Sequence, residues 1–487
     1  MNILKRVYLK LEEKNFSVPL LILLFIVLVL RLPSLLEPCW HGDEGIYLTI
    51  GQALRHGKML YRDIHDNKPP LLYWAAAVAG SFFWLRFLAL LAAMGGATGF
   101  YYLARHFFPS KKSFWLTIVF IFLMAIPCLE GNTANAETFF VPLTVIGFCF
   151  FVNKKYFKAG LLMGLSFLFK SPPLFDFVAM ILFVFWPILE KKLAFNLLKQ
   201  KIIFLTAGFA LPVFMTLIYY SIKGILPLYL ESAFLLNFPY LSSWSSGGNL
   251  FSSGLFRRAI ILLLVLAGMI VWQKKKSFNN KSLLVFLWFL LALFGALLSS
   301  RPYPHYLLQV VPSFLLLGGL VVFRTSKTMV SLFIFALFLI IGAVHWLGFY
   351  FYPLLPYYQN LARFALGQKN RLDYWSWFDN RVPRDYQVAG VLQELTNEDD
   401  EIFIWGNEPS IYALSRRQPA SRYAVAYHIQ DFKKEEEVLQ QLRQTPPAAI
   451  VYDTDFEYSF PGFNTFLSSN YLLLDKIGSL QIWHHFQ

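Results

Sequence analysis

The chain is short of charge, of cysteine and of acid relative to base. Only 15% of its 487 residues are Asp, Glu, Lys or Arg, against about 25% in a soluble globular domain. With 57% hydrophobic residues and a mean hydropathy of +0.50, it carries more apolar surface than one water-soluble core can hide. Three cysteines, Cys39, Cys128 and Cys149, are too few for a disulfide framework. No His, Cys or carboxylate spacing resembles a metal site, so neither a metal nor a cofactor is expected. No small-residue cleavage site follows the first apolar run. That run, from about Val18 to Leu36, is expected to persist as a signal anchor. Internal repeats of fixed period and low-complexity runs are also missing.

The base-over-acid excess, a net charge of +14, does not point to nucleic acid. Its Lys and Arg residues fall in small clusters between apolar runs: Lys5–Lys14, Arg105–Lys112, Lys154–Lys158, Lys191–Lys201, Lys274–Lys281 and Arg324–Lys327. That is the positive-inside pattern of a multi-pass protein in the cell (cytoplasmic) membrane. Runs long enough to approach a bilayer crossing lie near Val18–Leu36, Trp84–Phe107, Ser113–Leu129, Thr138–Val152, Ala159–Phe169 and Pro173–Leu189. Others lie near Ile202–Ile222, Ala259–Gln273, Leu283–Ser299, Leu307–Phe323 and Met329–Tyr352. The fold class expected is a polytopic α-helical membrane protein of about 11 spans, its N-terminus cytoplasmic and its C-terminus outside.

Alternation then sets the outer loops at 37–83, 130–137, 170–172, 223–258, 300–306 and everything beyond 353. Within the first, Leu71–Phe83 is apolar but too short to span, as an interfacial segment would be. Residues 242–253 are rich in Ser and Gly, as flexible loops are. The expected domains are 1–352 in the membrane, a connector at 353–383, and a soluble extracytoplasmic α/β domain at 384–487. In that tail Gln387–Leu395 and Lys433–Arg443 read as helices. Glu401–Trp405 and Ala448–Tyr452 read as buried strands, and Tyr471–Asp475 with Leu480–Trp483 as a hairpin around Gly478.

The expected outer face gathers Asp43, Glu44, Arg62, Asp63, Asp66, Lys68, Glu130, Glu137, Lys170, Arg301 and His305. Such charges beside membrane helices need partners or an aqueous cavity. Two function classes use them: a transferase active site, or a transporter or flippase of a lipid-linked intermediate. A transporter expects ionisable groups near mid-membrane and broken helices in matching halves. Here the spans are nearly charge-free at their centres and the halves do not repeat. A membrane-bound group transfer instead needs cations for a phosphate leaving group and a carboxylate base for an acceptor hydroxyl. Lys68, Arg301 and Lys170 are candidates for the first role, Asp43 or Glu44 for the second.

The stretch Arg31-Leu-Pro-Ser, His41-Gly-Asp-Glu-Gly-Ile-Tyr47, Tyr61-Arg-Asp and Lys68-Pro-Pro-Leu resembles the first outer loop of GT-C superfamily glycosyltransferases. It is most similar to the bacterial branch with protein O-mannosyltransferases and the lipid A aminoarabinose transferase. Gly160-Leu-Leu-Met-Gly-Leu-Ser-Phe-Leu-Phe-Lys170 resembles a later helix of that branch, and Ser300-Arg-Pro-Tyr-Pro-His-Tyr306 its late outer loop. The resemblance implies Asp43 as catalytic base, with Glu44 beside it, and Lys68 at the donor phosphate. It also implies Glu137 as a lining acid in Asn135-Ala-Glu-Thr. Tyr61, Asp66, Tyr303 and His305 complete the expected lining. The implied activity is inverting, metal-independent transfer of a monosaccharide from a polyprenyl-phosphate-linked sugar to a hydroxyl of a protein, glycan or lipid acceptor. The large insert of eukaryotic mannosyltransferases is missing, which leaves sugar and acceptor open. Structural readings stand beside these: Asp43 as a helix cap, Glu44 paired with Arg62 or Arg55, Lys68 snorkelling to the interface, Glu137 capping the next helix, and Arg301, Tyr303 and His305 as interfacial anchors.

Overall fold

The computed structural model describes residues 18–189, 196, 198–237, 254–275, 279–299, 301–324 and 327–486. The Ser- and Gly-rich stretch 242–253 lies outside the described residues. The chain divides into two compact units. A membrane unit comprises Met1–Leu32, Ala89–Gly224 and Phe234–Leu354, and a loop–tail unit comprises Pro33–Leu88, Ile225–Ala233 and Leu355–Gln487.

The membrane unit is helical. Among the described residues, four helices are long and apolar enough to cross a bilayer: Val18–Leu36, Phe82–Phe107, Lys199–Ile222 and Val330–Leu347. Shorter apolar helices follow the other expected runs, including Ala136–Val152, Tyr156–Phe169, Asn280–Ala296 and Val311–Phe323. Two boundaries move for a physical reason. The run expected from Leu307 begins instead as a 3-10 turn, Pro304–Gln309, and turns α-helical at Val311, where Pro304 and Pro312 deny the ladder its donors. The junction at Pro172-Pro173 separates Tyr156–Phe169 from Pro173–Leu189, with Lys170 in extended backbone between them.

Small residues set the helix spacing. A Cβ on Gly160 would fall 2.0 Å from the Leu205 carbonyl oxygen, and one on Gly208 2.2 Å from that of Phe157. Tyr156–Phe169 and Lys199–Ile222 therefore touch backbone to backbone, the contact that small residues permit where lipid offers no hydrophobic drive. Asp176, fully buried, accepts hydrogen bonds from Trp288 Nε1 at 2.6 Å and Gln309 Nε2 at 2.5 Å. A carboxyl beside apolar helices is tolerated only with such partners.

In the loop–tail unit the first loop forms two helices, Gly42–Arg55 and Leu71–Ala79. Asp43 and Glu44 in the first turn and Arg55 in the last suit the helix dipole of the former. Residues Glu44 to Ala53 are all buried, on more than one face. Gly45 and Gly51 explain how: a Cβ would fall 2.9 Å from the Ser410 backbone nitrogen in one case and 2.5 Å from the Ala76 carbonyl carbon in the other.

The tail is a five-stranded sheet, order β2-β1-β3-β5-β4, with β1 Glu401–Trp405, β2 Gln418–Pro419, β3 Ala449–Asp453, β4 Tyr471–Ile477 and β5 Leu480–His485. Strand β1 is parallel to β2 and β3, while β5 runs antiparallel to β3 and β4. Successive β1 residues serve opposite cores, as strand period demands. Phe403 and Trp405 pack with Phe460 and Phe463; Ile402 and Ile404 pack with Leu392 and Tyr412. The helices expected at Gln387–Leu395 and Lys433–Arg443 span Val382–Leu395 and Glu435–Gln444.

Tail and first loop are joined within this unit. His65 bridges Tyr423 as a one-residue parallel ladder, its amide donating to the Arg422 carbonyl at 2.8 Å. Thr49 Oγ1 donates to the Pro409 carbonyl at 2.9 Å, and Lys58 pairs with Glu401 at 2.6 Å. Cys39 is a free, buried thiol bonded to Ser410 Oγ at 3.2 Å.

Candidate active site

The expected site residues fall in both units. Asp43, Glu44, Tyr61, Asp66 and Lys68 belong to the loop–tail unit, and Glu137, Lys170, Arg301, Tyr303 and His305 to the membrane unit.

Asp43 is half-buried in the first turn of Gly42–Arg55. The cap is His41, so the helix-cap reading of Asp43 does not hold. Its Oδ2 accepts the Tyr47 hydroxyl at 2.8 Å, one turn on. The Tyr47 ring in turn faces the Lys68 ammonium, 5.0 Å from its centroid. One aromatic side chain thus links the candidate base to the candidate phosphate ligand, by its hydroxyl and by its π-face.

Lys68 sits on a loop held from several sides. Its Nζ lies 3.5 Å from Asp66 Oδ2, and its carbonyl accepts the Tyr61 hydroxyl at 2.8 Å. Tyr61 is fully buried at φ +71°, a left-handed backbone that a bulky side chain rarely adopts. Its amide donates to Ile64, its carbonyl accepts from Arg422 Nη2 at 2.6 Å, and its ring packs on Tyr229. Asp66, 1% exposed, takes the Tyr73 hydroxyl at 2.5 Å and the Asn67 amide at 2.7 Å. Burial alone would raise its carboxyl pKa. The cationic Lys68 and the neighbouring His428 and Tyr73 outweigh that and hold it below the usual range. His428 Nε2 lies 3.7 Å from Asp66 Oδ1. Burial depresses both nearby imidazoles, His428 to about 4 and His65 to about 3, so both are neutral at pH 7.

Glu44 pairs with neither Arg62 nor Arg55. Its carboxylate meets Arg86, Nη2 to Oε2 at 2.6 Å and Nε to Oε1 at 3.1 Å, with both side chains buried. Arg86 spends its remaining donors on the carbonyls of Ser34, Glu37 and Pro38. Arg62 pairs with its neighbour Asp63.

In the membrane unit, Lys170 Nζ donates to Glu137 Oε1 at 2.6 Å and stands 4.1 Å from the Tyr306 ring centroid. The helix Ala136–Val152 is capped at Asn135, not by Glu137. Glu137 Oε2 and both polar atoms of the Asn135 side chain are buried without a hydrogen-bond partner among the described residues. His305 Nδ1 hydrogen-bonds Glu130, which also accepts the Tyr350 hydroxyl at 3.3 Å. His305 is buried and stacks on Tyr303 at an interplanar angle of 8°, so it is no interfacial anchor. Arg301 is half-buried, its amide on Ser299 Oγ.

Sequence reasoning quoted Arg31 in a motif without giving it a role, and passed over Arg86, Tyr73 and His428. Arg31 is buried and donates to the carbonyls of Gly131, Asn132 and Thr133, fixing the approach to Glu137. An arginine inside each of two apolar runs was the available signal.

Helices of membrane length, a long first loop and a small α/β tail are the architecture that the first-loop motifs imply. No family model matches the sequence, and no curated protein matches it. Among solved structures it is similar to ArnT from Cupriavidus metallidurans bound to undecaprenyl phosphate, at 14% identity and a TM-score of 0.56, over 95% of this chain and 97% of that one. The apo state of the same protein gives 14% identity and a TM-score of 0.54 with the same coverage. At this identity the likeness establishes the fold.

Proposed function

We propose that this protein is a membrane glycosyltransferase that moves a monosaccharide from a polyprenyl-phosphate donor to an acceptor hydroxyl on a protein or a cell-envelope glycan or lipid. The observation that carries the reading is the Asp43–Tyr47–Lys68 arrangement, a base and a cation joined through one ring. The fold it shares with a protein solved with undecaprenyl phosphate supports a lipid-linked donor.

In this reading Asp43 takes the proton of the acceptor hydroxyl as that oxygen attacks the anomeric carbon. The bond from that carbon to the phosphate oxygen breaks on the opposite face, inverting the centre and releasing polyprenyl phosphate. Lys68 offsets the charge growing on the leaving phosphate, the stage at which fixed cations contribute most. Within the loop–tail unit Tyr61 and Asp66 position Lys68; within the membrane unit the same reading makes Lys170 and Arg301 phosphate ligands and Glu137, Tyr303 and His305 lining residues. Glu44, bound to Arg86, anchors the helix that presents Asp43. The step uses no metal or cofactor. The site faces the outside of the cytoplasmic membrane, with the N-terminus inside.

The test is chemical consumption of donor. Purified full-length protein with labelled polyprenyl-phosphate sugars, followed by thin-layer separation, is expected to release polyprenyl phosphate, with chelator present or absent. Donor moved between leaflets but never cleaved would replace the transferase with a flippase.

A further inference from the structure

A cavity of about 730 Å³ lies within the loop–tail unit, at the far end of the helix whose first turn carries Asp43. Asp43 and Arg55 are separated by roughly 18 Å at the helical rise of 1.5 Å per residue, so the cavity is distinct from the candidate active site. Two guanidinium groups line it, Arg55 and Arg416. Among the described residues neither forms an ion pair or a side-chain hydrogen bond. Arg55 lies across Gly80, where a Cβ would fall 1.7 Å from its Nη1. Gly80 stands at φ +68° and ends the helix Leu71–Ala79, so both its backbone and its missing side chain give Arg55 its place. Arg416 also has a left-handed backbone, φ +58°, as the C-cap of Ser410–Ser415.

The same wall carries acceptors. Glu398 is exposed on the cavity and unpaired among the described residues. Gln52 is 7% exposed; its Nε2 donates to the Gly80 and Ala413 carbonyls, while its Oε1 is buried with no partner. The third component is apolar. Val78 is 80% exposed and Trp84 53% exposed, and Trp84 lies in the first turn of the candidate span Phe82–Phe107, where indole rings favour the headgroup layer.

From two unpaired guanidiniums, an unpaired carboxylate with an orphaned amide oxygen, and an apolar lip at a span's end, we infer that this cavity binds the headgroup of a bilayer aminophospholipid. Arg55 and Arg416 hold the phosphate, for which a guanidinium fork is well shaped. Glu398 and Gln52 Oε1 accept hydrogen bonds from the primary ammonium. Val78 and Trp84 meet the start of the acyl chains. A purely anionic headgroup would leave Glu398 repelling it. A trimethylated one has no N–H for Gln52 Oε1.

The experiment is native mass spectrometry of the full-length protein released from nanodiscs holding equal amounts of phosphatidylethanolamine, phosphatidylcholine and phosphatidylglycerol. The expected result is one retained phosphatidylethanolamine, favoured over phosphatidylcholine by roughly tenfold, the scale of one charge-assisted hydrogen bond. Arg55→Gln with Arg416→Gln should abolish that retention, and Glu398→Gln should level the two zwitterionic lipids, with wild-type melting temperatures. Preferential retention of phosphatidylglycerol, or equal retention of all three by the wild type, would overturn the inference. Displacement by soluble phosphoethanolamine at equal concentration would overturn its bilayer source.

Discussion

The membrane unit and the loop–tail unit carry comparable sets of ionisable residues and treat them differently. In the membrane unit, Lys170 is held by Glu137, His305 by Glu130, and Asp176 by Trp288 and Gln309, all with little exposure. In the loop–tail unit Glu44 with Arg86 is closed in the same way, and Lys68, like Lys170, stands between a carboxylate and a ring, while Asp43 remains half-buried. Pairing in a low-dielectric setting holds elements together at a high desolvation cost. A half-buried carboxylate that accepts a hydroxyl is suited to take a proton. Under the proposed function, the difference separates Glu44, which anchors the helix, from Asp43, which acts as the base.

The largest effect expected comes from opening the closed pair. Arg86→Gln leaves the Glu44 charge buried and three carbonyls short of donors, and breaking such a pair from one side costs about 3–5 kcal/mol. Thermal melting of the full-length protein should show that loss, and Glu44→Leu with Arg86→Met should recover most of it. A single variant as stable as wild type would remove the distinction between Asp43 and Glu44.

A smaller effect is expected at Lys68. Under the proposed function, Lys68→Ala should weaken donor binding and turnover together, because the cation meets the phosphate before and during transfer. Steady-state kinetics with varied donor would sharpen the comparison. A change in turnover alone would make Lys68 a residue that acts only in the transition state.

The smallest effect is a pH dependence in the tail. Burial, helped by Asp453 and Asp385, raises Glu408 to about 7, and burial raises Asp385 to about 6. Folded-state pKa values above the unfolded ones mean stability that is full below the unfolded range, near 4, and lost as pH rises toward 7. His65 and His428, depressed from 6.5, act with the opposite sign: their contribution is present above 6.5 and lost as pH falls toward 4 and 3. Hydrogen-exchange protection in β1 and β3 should therefore decline on both sides of mildly acidic pH. Glu408→Gln should lessen the loss on the alkaline side and leave the acid side unchanged.

Much of this was readable in the chain because the signals are local. Apolar runs marked the helices, short continuous apolar segments marked β1 and β3, and the Pro172-Pro173 pair marked a break where two helices meet. The charged first loop stood out by composition, and its motifs carried Asp43 and Lys68. What stayed hidden depends on distant partners. Nothing near Glu44 points to Arg86, 42 residues on, and nothing near His65 points to Arg422 and Tyr423 in the tail. The left-handed Tyr61 could not be read either, since tertiary contacts hold that conformation against its intrinsic preference.

The central claim, that Asp43 is the base, is tested most directly by single-turnover transfer with Asp43→Asn in full-length protein saturated with donor. The asparagine keeps size and hydrogen bonding and loses proton affinity. Removal of a general base predicts a rate lower by about a hundred- to ten-thousand-fold, with donor affinity unchanged. Near-normal transfer by Asp43→Asn, at wild-type donor affinity, would contradict the account.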